Sequence, residues 1–165
     1  MTDNTGDARF EDGAEKPLKL KALDLDDLAV VSTLVQDAVV PAAQMRFDRD
    51  RRRFALLVNR FRWEDKEGAD ARKRSVERVQ AVLFIDDVLA VRTQGVNPAD
   101  KDMILSLLNI EFAPTTDGMG TITLTFAGDG ALALDVEALE VGLQDVTRPY
   151  VAVSGKTPDH TLDLD

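Results

Sequence analysis

Between residues 121 and 126 three threonines, Thr121, Thr123 and Thr125, alternate strictly with Ile122, Leu124 and Phe126. Side chains two residues apart share a face only in extended chain, so this stretch is a strand with one wet and one apolar side. Ala127-Gly128-Asp129-Gly130 follows, supplying residues that tolerate positive φ, and Leu132, Leu134 and Val136 then resume the alternation. A hairpin of this kind has to be covered on its apolar face by further strands or a helix. The chain is thereby committed to an antiparallel sheet.

The remaining elements are read around that hairpin. Leu18, Leu20 and Ala22 alternate with Lys19 and Lys21, the period of a short strand. Asp24 is placed to cap a helix, with Asp26 and Asp27 in the first turn where negative charge favours the exposed N–H groups. Leu28, Val31, Val35 and Ala38 recur at three or four residues, which predicts a helix lying on the sheet and ended before Pro41. Met45 and Phe47, a polar turn over residues 48–51, and an apolar return over residues 53–63 predict a second hairpin. Its return strand is apolar on both faces and therefore central or covered.

Residues 64–75 are charged, contain Gly68 and lack apolar periodicity, as a long exposed loop does. Val79, Ala81, Leu83 and Ile85 predict a strand joined by Asp86-Asp87, as a two-residue turn, to another over residues 88–96. Residues 103–112 hold seven apolar side chains among ten. Pro98 ahead of them suits a helix start, but Ile110-Glu111-Phe112 before Pro114 reads as the end of a strand, which we prefer. Val136, Leu139, Leu143 and Val146 then fall on one helical stripe opposite Glu137, Glu140 and Gln144, predicting a closing amphipathic helix. Gly142 inside it would cost about 1 kcal/mol relative to alanine.

The expected fold class is thus α+β, mainly antiparallel, with about seven strands, a C-terminal helix and an N-terminal strand-helix extension. From Gln44 to Val146 the order has the pattern of a pleckstrin-homology-like barrel, and an open sheet with both helices on one face fits the same order. A chain of 165 residues is close to the size of one domain and buries roughly two-thirds of its unfolded surface. We expect one globular domain over residues 18–153. Residues 1–17 and 154–165 read as tails, because they offer little apolar surface to offset the entropy of ordering them.

Composition closes off several chemistries. The chain has no cysteine, which excludes disulfides, thiolate nucleophiles and cysteine-held metal centres. The first sixteen residues lack a basic segment followed by an apolar one, and no apolar run approaches the roughly 20 residues that span a bilayer. A cytoplasmic protein with no membrane partner is the expectation.

Charge carries the largest anomaly. The net charge is −10, yet residues 46–80 hold 12 basic and 7 acidic side chains. Arg46, Arg49, Arg51, Arg52 and Arg53 surround the second hairpin, Arg60 and Arg62 follow on its return strand, and Phe47, Phe54, Phe61 and Trp63 are interleaved. Guanidinium forks bind carboxylate or phosphate in bidentate fashion, so these seven arginines are the candidate anion-binding or partner-binding residues. The competing reading is internal or subunit-subunit pairing, since Asp48, Asp50, Glu64, Asp65, Glu67 and Asp70 lie among them.

Other motifs have plainer explanations. His160 is the single histidine and lies in the expected C-terminal tail, without the rigid support a catalytic base needs. Asp24, Asp26 and Asp27 miss the calcium-loop spacing and are accounted for by capping. Asp86 and Asp87 are neighbours whose side chains point apart in extended chain. The glycines at 118, 120, 128 and 130 belong to hairpin turns and not to a phosphate-binding loop. No catalytic, metal or cofactor-binding residue is assigned, and no cofactor is expected.

Four stretches together resemble an uncharacterised family of small alphaproteobacterial proteins known only as a domain of unknown function. They are Leu23-Asp24 to Val39, the run from Arg52-Arg53-Phe54 to Phe61, the run from Leu105 to Phe112, and the run from Phe126 to Asp145. The resemblance implies no activity, substrate or cofactor. The leading functional expectation is a non-catalytic interaction or self-associating module that uses a sheet edge or the arginine hairpin to hold a protein partner. Nucleic-acid or phosphoanion binding through residues 46–78 is an alternative that the acidic net charge disfavours, and a carboxylate-based enzyme whose acids meet only on folding is another.

Overall fold

Ten strands and one α-helix succeed one another in the computed structural model, which describes residues 17–65 and 77–147. They are β1 (Lys19–Ala22), α1 (Leu25–Leu34), β2 (Val39–Pro41), β3 (Met45–Asp48), β4 (Arg53–Phe61), β5 (Arg78–Ile85), β6 (Val88–Gln94), β7 (Ile104–Pro114), β8 (Gly120–Phe126), β9 (Ala131–Val136) and β10 (Val141–Asp145). Short 3-10 turns occupy Ala42–Gln44 and Trp63–Asp65. The strands follow the order β1-β10-β5-β4-β2-β7-β8-β9-β6, with β3 paired to β4 beside that path. Every pair is antiparallel.

This overturns the expected fold class in three respects. The strands number ten among the described residues, not about seven. The path runs from β1 to β6 without those two strands pairing, so the sheet is open and the pleckstrin-homology-like barrel is not formed. The closing helix is absent too: after a corner at residues 137–140 the chain becomes β10, lying between β1 and β5. Its stripe was ambiguous because Leu139 is partly buried in the corner, while Val141, Leu143 and Asp145 obey a period of two and all point inward. Gly142 decides the matter physically. A Cβ there would overlap the Phe84 ring of the neighbouring strand, so the residue is a seat for an aromatic side chain.

A second correction concerns Asp86-Asp87. These residues do not close a hairpin. β5 pairs with β4 and β10, and β6 pairs with β9, so the link carries the chain from one section of the sheet to another. Asp87 takes the left-handed conformation (φ 59) that this sharp change of direction requires.

Other expectations are met where the local signal was strong. The β8–β9 hairpin turns through Gly128 and Asp129, both at positive φ, with Ile122, Leu124 and Phe126 buried on one face. The strand reading of residues 103–112 is β7. Asp24 caps α1, its Oδ1 accepting from the Asp27 N–H at 2.8 Å. The helix stops at Leu34, earlier than its stripe suggested, because Asp37 turns left-handed (φ 63) and hands the chain to β2. Leu28, Val31, Val35 and Ala38 are nonetheless all buried, and α1 covers the core beside β7, where the Ser32 hydroxyl accepts from the Ile110 N–H at 3.0 Å. One continuous apolar cluster joins this helix to both sections of the sheet. Most of the predicted loop at residues 64–75, both predicted tails in the main, and His160 lie outside the described residues.

Candidate functional site: the arginine hairpin

Strand alternation divides the arginines before any partner is considered. On β4, Phe54, Leu56, Val58 and Arg60 share the inward face. Arg53 begins the strand and Arg60 nearly ends it, roughly 23 Å away at 3.3 Å per residue. The seven candidates therefore do not form one site.

Arg60 is wholly buried at 0% exposure. Asp145, at the inward end of β10, meets it with two bonds of 3.0 Å. Glu64 adds two of 2.9 Å and the Phe61 carbonyl accepts a fifth at 3.1 Å. All five N–H donors of the guanidinium are thus engaged, which is what a charge in an apolar interior requires. Burial works against the charge, but the bonds to Glu64 and Asp145 outweigh it and hold the Arg60 pKa above its usual value. Asp145 also accepts from the Leu18 N–H at 2.9 Å, so the cluster ties the start of β1 to the ends of β4 and β10. Arg62 is buried beside it and bonded to Glu77. Two of the predicted binding arginines are therefore part of the interior.

At the other end of β4 three turns converge. The β3–β4 turn accepts the Val88 N–H on the Arg52 carbonyl (2.8 Å), Glu137 donates its N–H to the Asp87 carbonyl (2.9 Å), and Asp86 donates to the Glu140 carbonyl (3.0 Å). Arg52 adopts φ 55 to make the turn. Its guanidinium lies 2.6 Å from Glu137 and 3.9 Å from Asp87. Arg53 holds Asp86 through two bonds of 2.6 and 3.1 Å and lies 4.5 Å above the Phe84 ring. The hydrogen bonding by Asp86 is the main reason the Arg53 pKa is raised. Arg52 and Arg53 are accordingly fasteners, clamping the hairpin onto the two corners.

Arg46, Arg49 and Arg51 remain, all exposed. Among the described residues Arg46 donates to the carbonyls of Ala43 and Met45, at 3.3 and 3.2 Å. Arg49 lies 5.1 Å over the Phe47 ring. Arg51, with 82% of its side chain exposed, stands 3.9 Å from Asp48, a separation worth little in water. Arg49 and Arg51 are thus presented on a turn whose backbone is held from behind, and Arg46 on the strand that leads into it.

A model of the family described as a protein of unknown function (DUF2948) matches residues 18–160. The chain belongs to the DUF2948 family. The resemblance carried by the four stretches of sequence is thereby a family relationship, and it spans the whole described fold. No curated protein and no solved structure matches this DUF2948 chain. No helix among the described residues is long and apolar enough to cross a membrane.

For catalysis by paired acids the geometry is instructive. Asp145 and Glu64 do converge, but on a guanidinium. Although burial alone would raise the Glu64 pKa, the Arg60 bonds hold it below the usual glutamate range, so the group is a poor proton donor and a weak base. Asp86 and Asp87 point to different arginines. A depression of about 280 Å³ on α1 is lined by Ala29, Val30, Thr33 and Leu34, none of which titrates.

The lowered Glu64 pKa has a stability consequence. An acid whose folded pKa is depressed contributes stability above its unfolded value, and that contribution is lost as pH falls through the folded value. Urea midpoints measured from pH 7 down to 3 should therefore fall more steeply for the parent chain than for Glu64→Gln. Parallel curves would show that the Arg60–Glu64 pair adds nothing.

Signals for the missed partners existed in part. Asp145 sits two residues beyond Leu143 in the period of β10, which the helical reading hid. Glu137, Asp86 and Glu77 lie far from their arginines in sequence and carried no signal.

Proposed function

We propose that this protein is a non-catalytic interaction module whose β3–β4 turn grips an acidic protein partner. The observation that carries the reading is the division of labour in the hairpin. Arg52 and Arg53 are spent on Glu137, Asp87 and Asp86, whereas among the described residues Arg46 and Arg49 have no carboxylate partner and Arg51 has only a distant one. A rigid turn that presents guanidinium groups loses little conformational freedom on binding, which favours affinity per contact. Beside exposed Asp48 and Asp50, and in a chain that carries −10, an acidic protein segment is favoured over a nucleic-acid backbone because its lower charge density is repelled less.

The test uses a short glutamate-rich peptide and a DNA duplex as probes at low ionic strength. Reversing all three presented charges, Arg46→Glu, Arg49→Glu and Arg51→Glu, should weaken peptide binding by about 10- to 100-fold, since each exposed pair is worth up to about 1 kcal/mol. The parent affinity should also fall as salt is added. Unchanged peptide affinity in the folded triple variant would defeat the proposal. Tighter binding of the duplex than of the peptide would replace it with the phosphoanion reading.

A further inference from the structure

Three strands, β1, β3 and β6, pair with only one other strand among the described residues. A bare edge presents unpaired N–H and C=O groups and is a template for another chain unless it is short or charged. β1 and β3 are protected in that way. Each has four residues, with Lys19 and Lys21 on one and Arg46 on the other exposed to solvent. β6 lacks the same protection. It has seven residues, Val88–Gln94, no proline, and a single charged side chain, Arg92. A bulge between Val88 and Ala90 frees Leu89, which is 43% exposed, and beyond it the ladder with β9 runs regularly from Ala90 to Gln94. In an antiparallel ladder every second residue of an edge strand turns both backbone groups away from its neighbour.

The edge is continuous with the proposed site. The N–H of Val88, its first residue, donates to the carbonyl of Arg52 in the hairpin turn at 2.8 Å. The turn thus occupies the edge at Val88, and a strand laid along residues 89–94 ends against it in either direction of travel. Alternation then specifies the visitor. On the inward face it would lie beside half-buried Val91 and would add apolar side chains to the cluster over Leu132 and Leu134. On the outward face it would meet Arg92, whose side chain is 60% exposed although bonded to Asp135.

We propose that the partner binds as an extended acidic segment that adds a strand to β6, with apolar and acidic side chains alternating, and delivers its carboxylates to the β3–β4 turn. The inference rests on the acidic-partner reading above and names the form that partner takes. Backbone bonds to the edge supply affinity, and alternate side chains supply selectivity.

The experiment uses the whole chain, isotope-labelled, and a peptide of alternating valine and glutamate. A second peptide of the same charge, with proline in place of valine, cannot form the ladder. Thr93→Pro and Gln94→Pro are made as two separate variants, neither of which alters a charge: of two successive residues one turns its N–H outward, so one variant keeps its β9 bond and is identified by the smaller change in melting temperature. The expected results are at least tenfold slower amide exchange at outward positions of residues 89–94 with the valine peptide. Binding should be at least tenfold weaker with the proline peptide and in the stable proline variant. Equal binding by both peptides, with shifts confined to the hairpin, would overturn strand addition and leave the acidic-partner reading standing. Edge protection that survives the triple charge reversal undiminished would overturn the acidic partner instead. Absence of binding by either peptide overturns both. A particle of twice the chain mass with β6 amides already protected before peptide is added would assign the edge to a second copy of the chain.

Discussion

Replacing Arg60 with methionine is expected to lower the free energy of unfolding by about 3–5 kcal/mol. The size follows from what is left behind and not from the strength of the pair. Asp145 has 5% of its side chain exposed, and without the guanidinium it retains only the Leu18 N–H as a donor from this cluster. A carboxylate so placed must either stay charged in a poor solvent or take up a proton, and both cost free energy at neutral pH. For a domain whose total stability is about 5–15 kcal/mol, the loss would be visible as a large shift in the urea midpoint. The double variant Arg60→Met with Asp145→Leu removes the orphan charge and should recover a substantial part of the deficit. A single variant as stable as the parent would mean that water reaches Asp145 and that the cluster is not the buried clasp described above. A double variant less stable than the single one would show that the acid contributes through Leu18 alone.

Gly142→Ala tests the strand that replaced the expected helix, and the two architectures differ in sign. In a helix the change would stabilise by about 1 kcal/mol. In β10 the new Cβ overlaps the Phe84 ring, which cannot stay flat on the sheet beneath the Arg53 guanidinium. Overpacking of this kind costs about 1–3 kcal/mol. Because the obstacle is a side chain, the cost should be conditional: in a Phe84→Ala background Gly142→Ala is expected to be nearly neutral. Thermal or urea unfolding of the four chains closes the cycle. A stabilised Gly142→Ala, or a loss unaffected by the state of residue 84, would contradict the seat that this glycine provides.

The same glycine shows where sequence reading stopped. Val136, Leu139, Leu143 and Val146 are spaced as a helix would space them, and only the presence of Phe84 on a strand more than fifty residues earlier makes an extended Gly142 the better solution. Asp86-Asp87 failed for a similar reason. A two-residue acidic link between apolar strands is a hairpin by local chemistry, yet β5 finds both its neighbours, β4 and β10, elsewhere. The arginine block was visible at once as an excess of positive charge. What each arginine does was not, since Arg60 and Arg53 are alike in composition and differ in the face of β4 they occupy and in what waits there.

Sequence alone determined the features that rest on neighbours within a few residues: the Asp24 cap, the two faces of β8 and β9, the turn at Gly128-Asp129, and the antiparallel class that these imply. The tertiary structure decided the strand order, the open sheet, the identity of β10, and the division of seven arginines into two that are buried, two that fasten the hairpin and three that face solvent. The physical reason lies in range. Alternation reports which side chains share a face of one strand, whereas the bond that buries Arg60 joins it to Asp145 across 85 positions of the chain, and only the paired sheet brings those two groups within 3.0 Å.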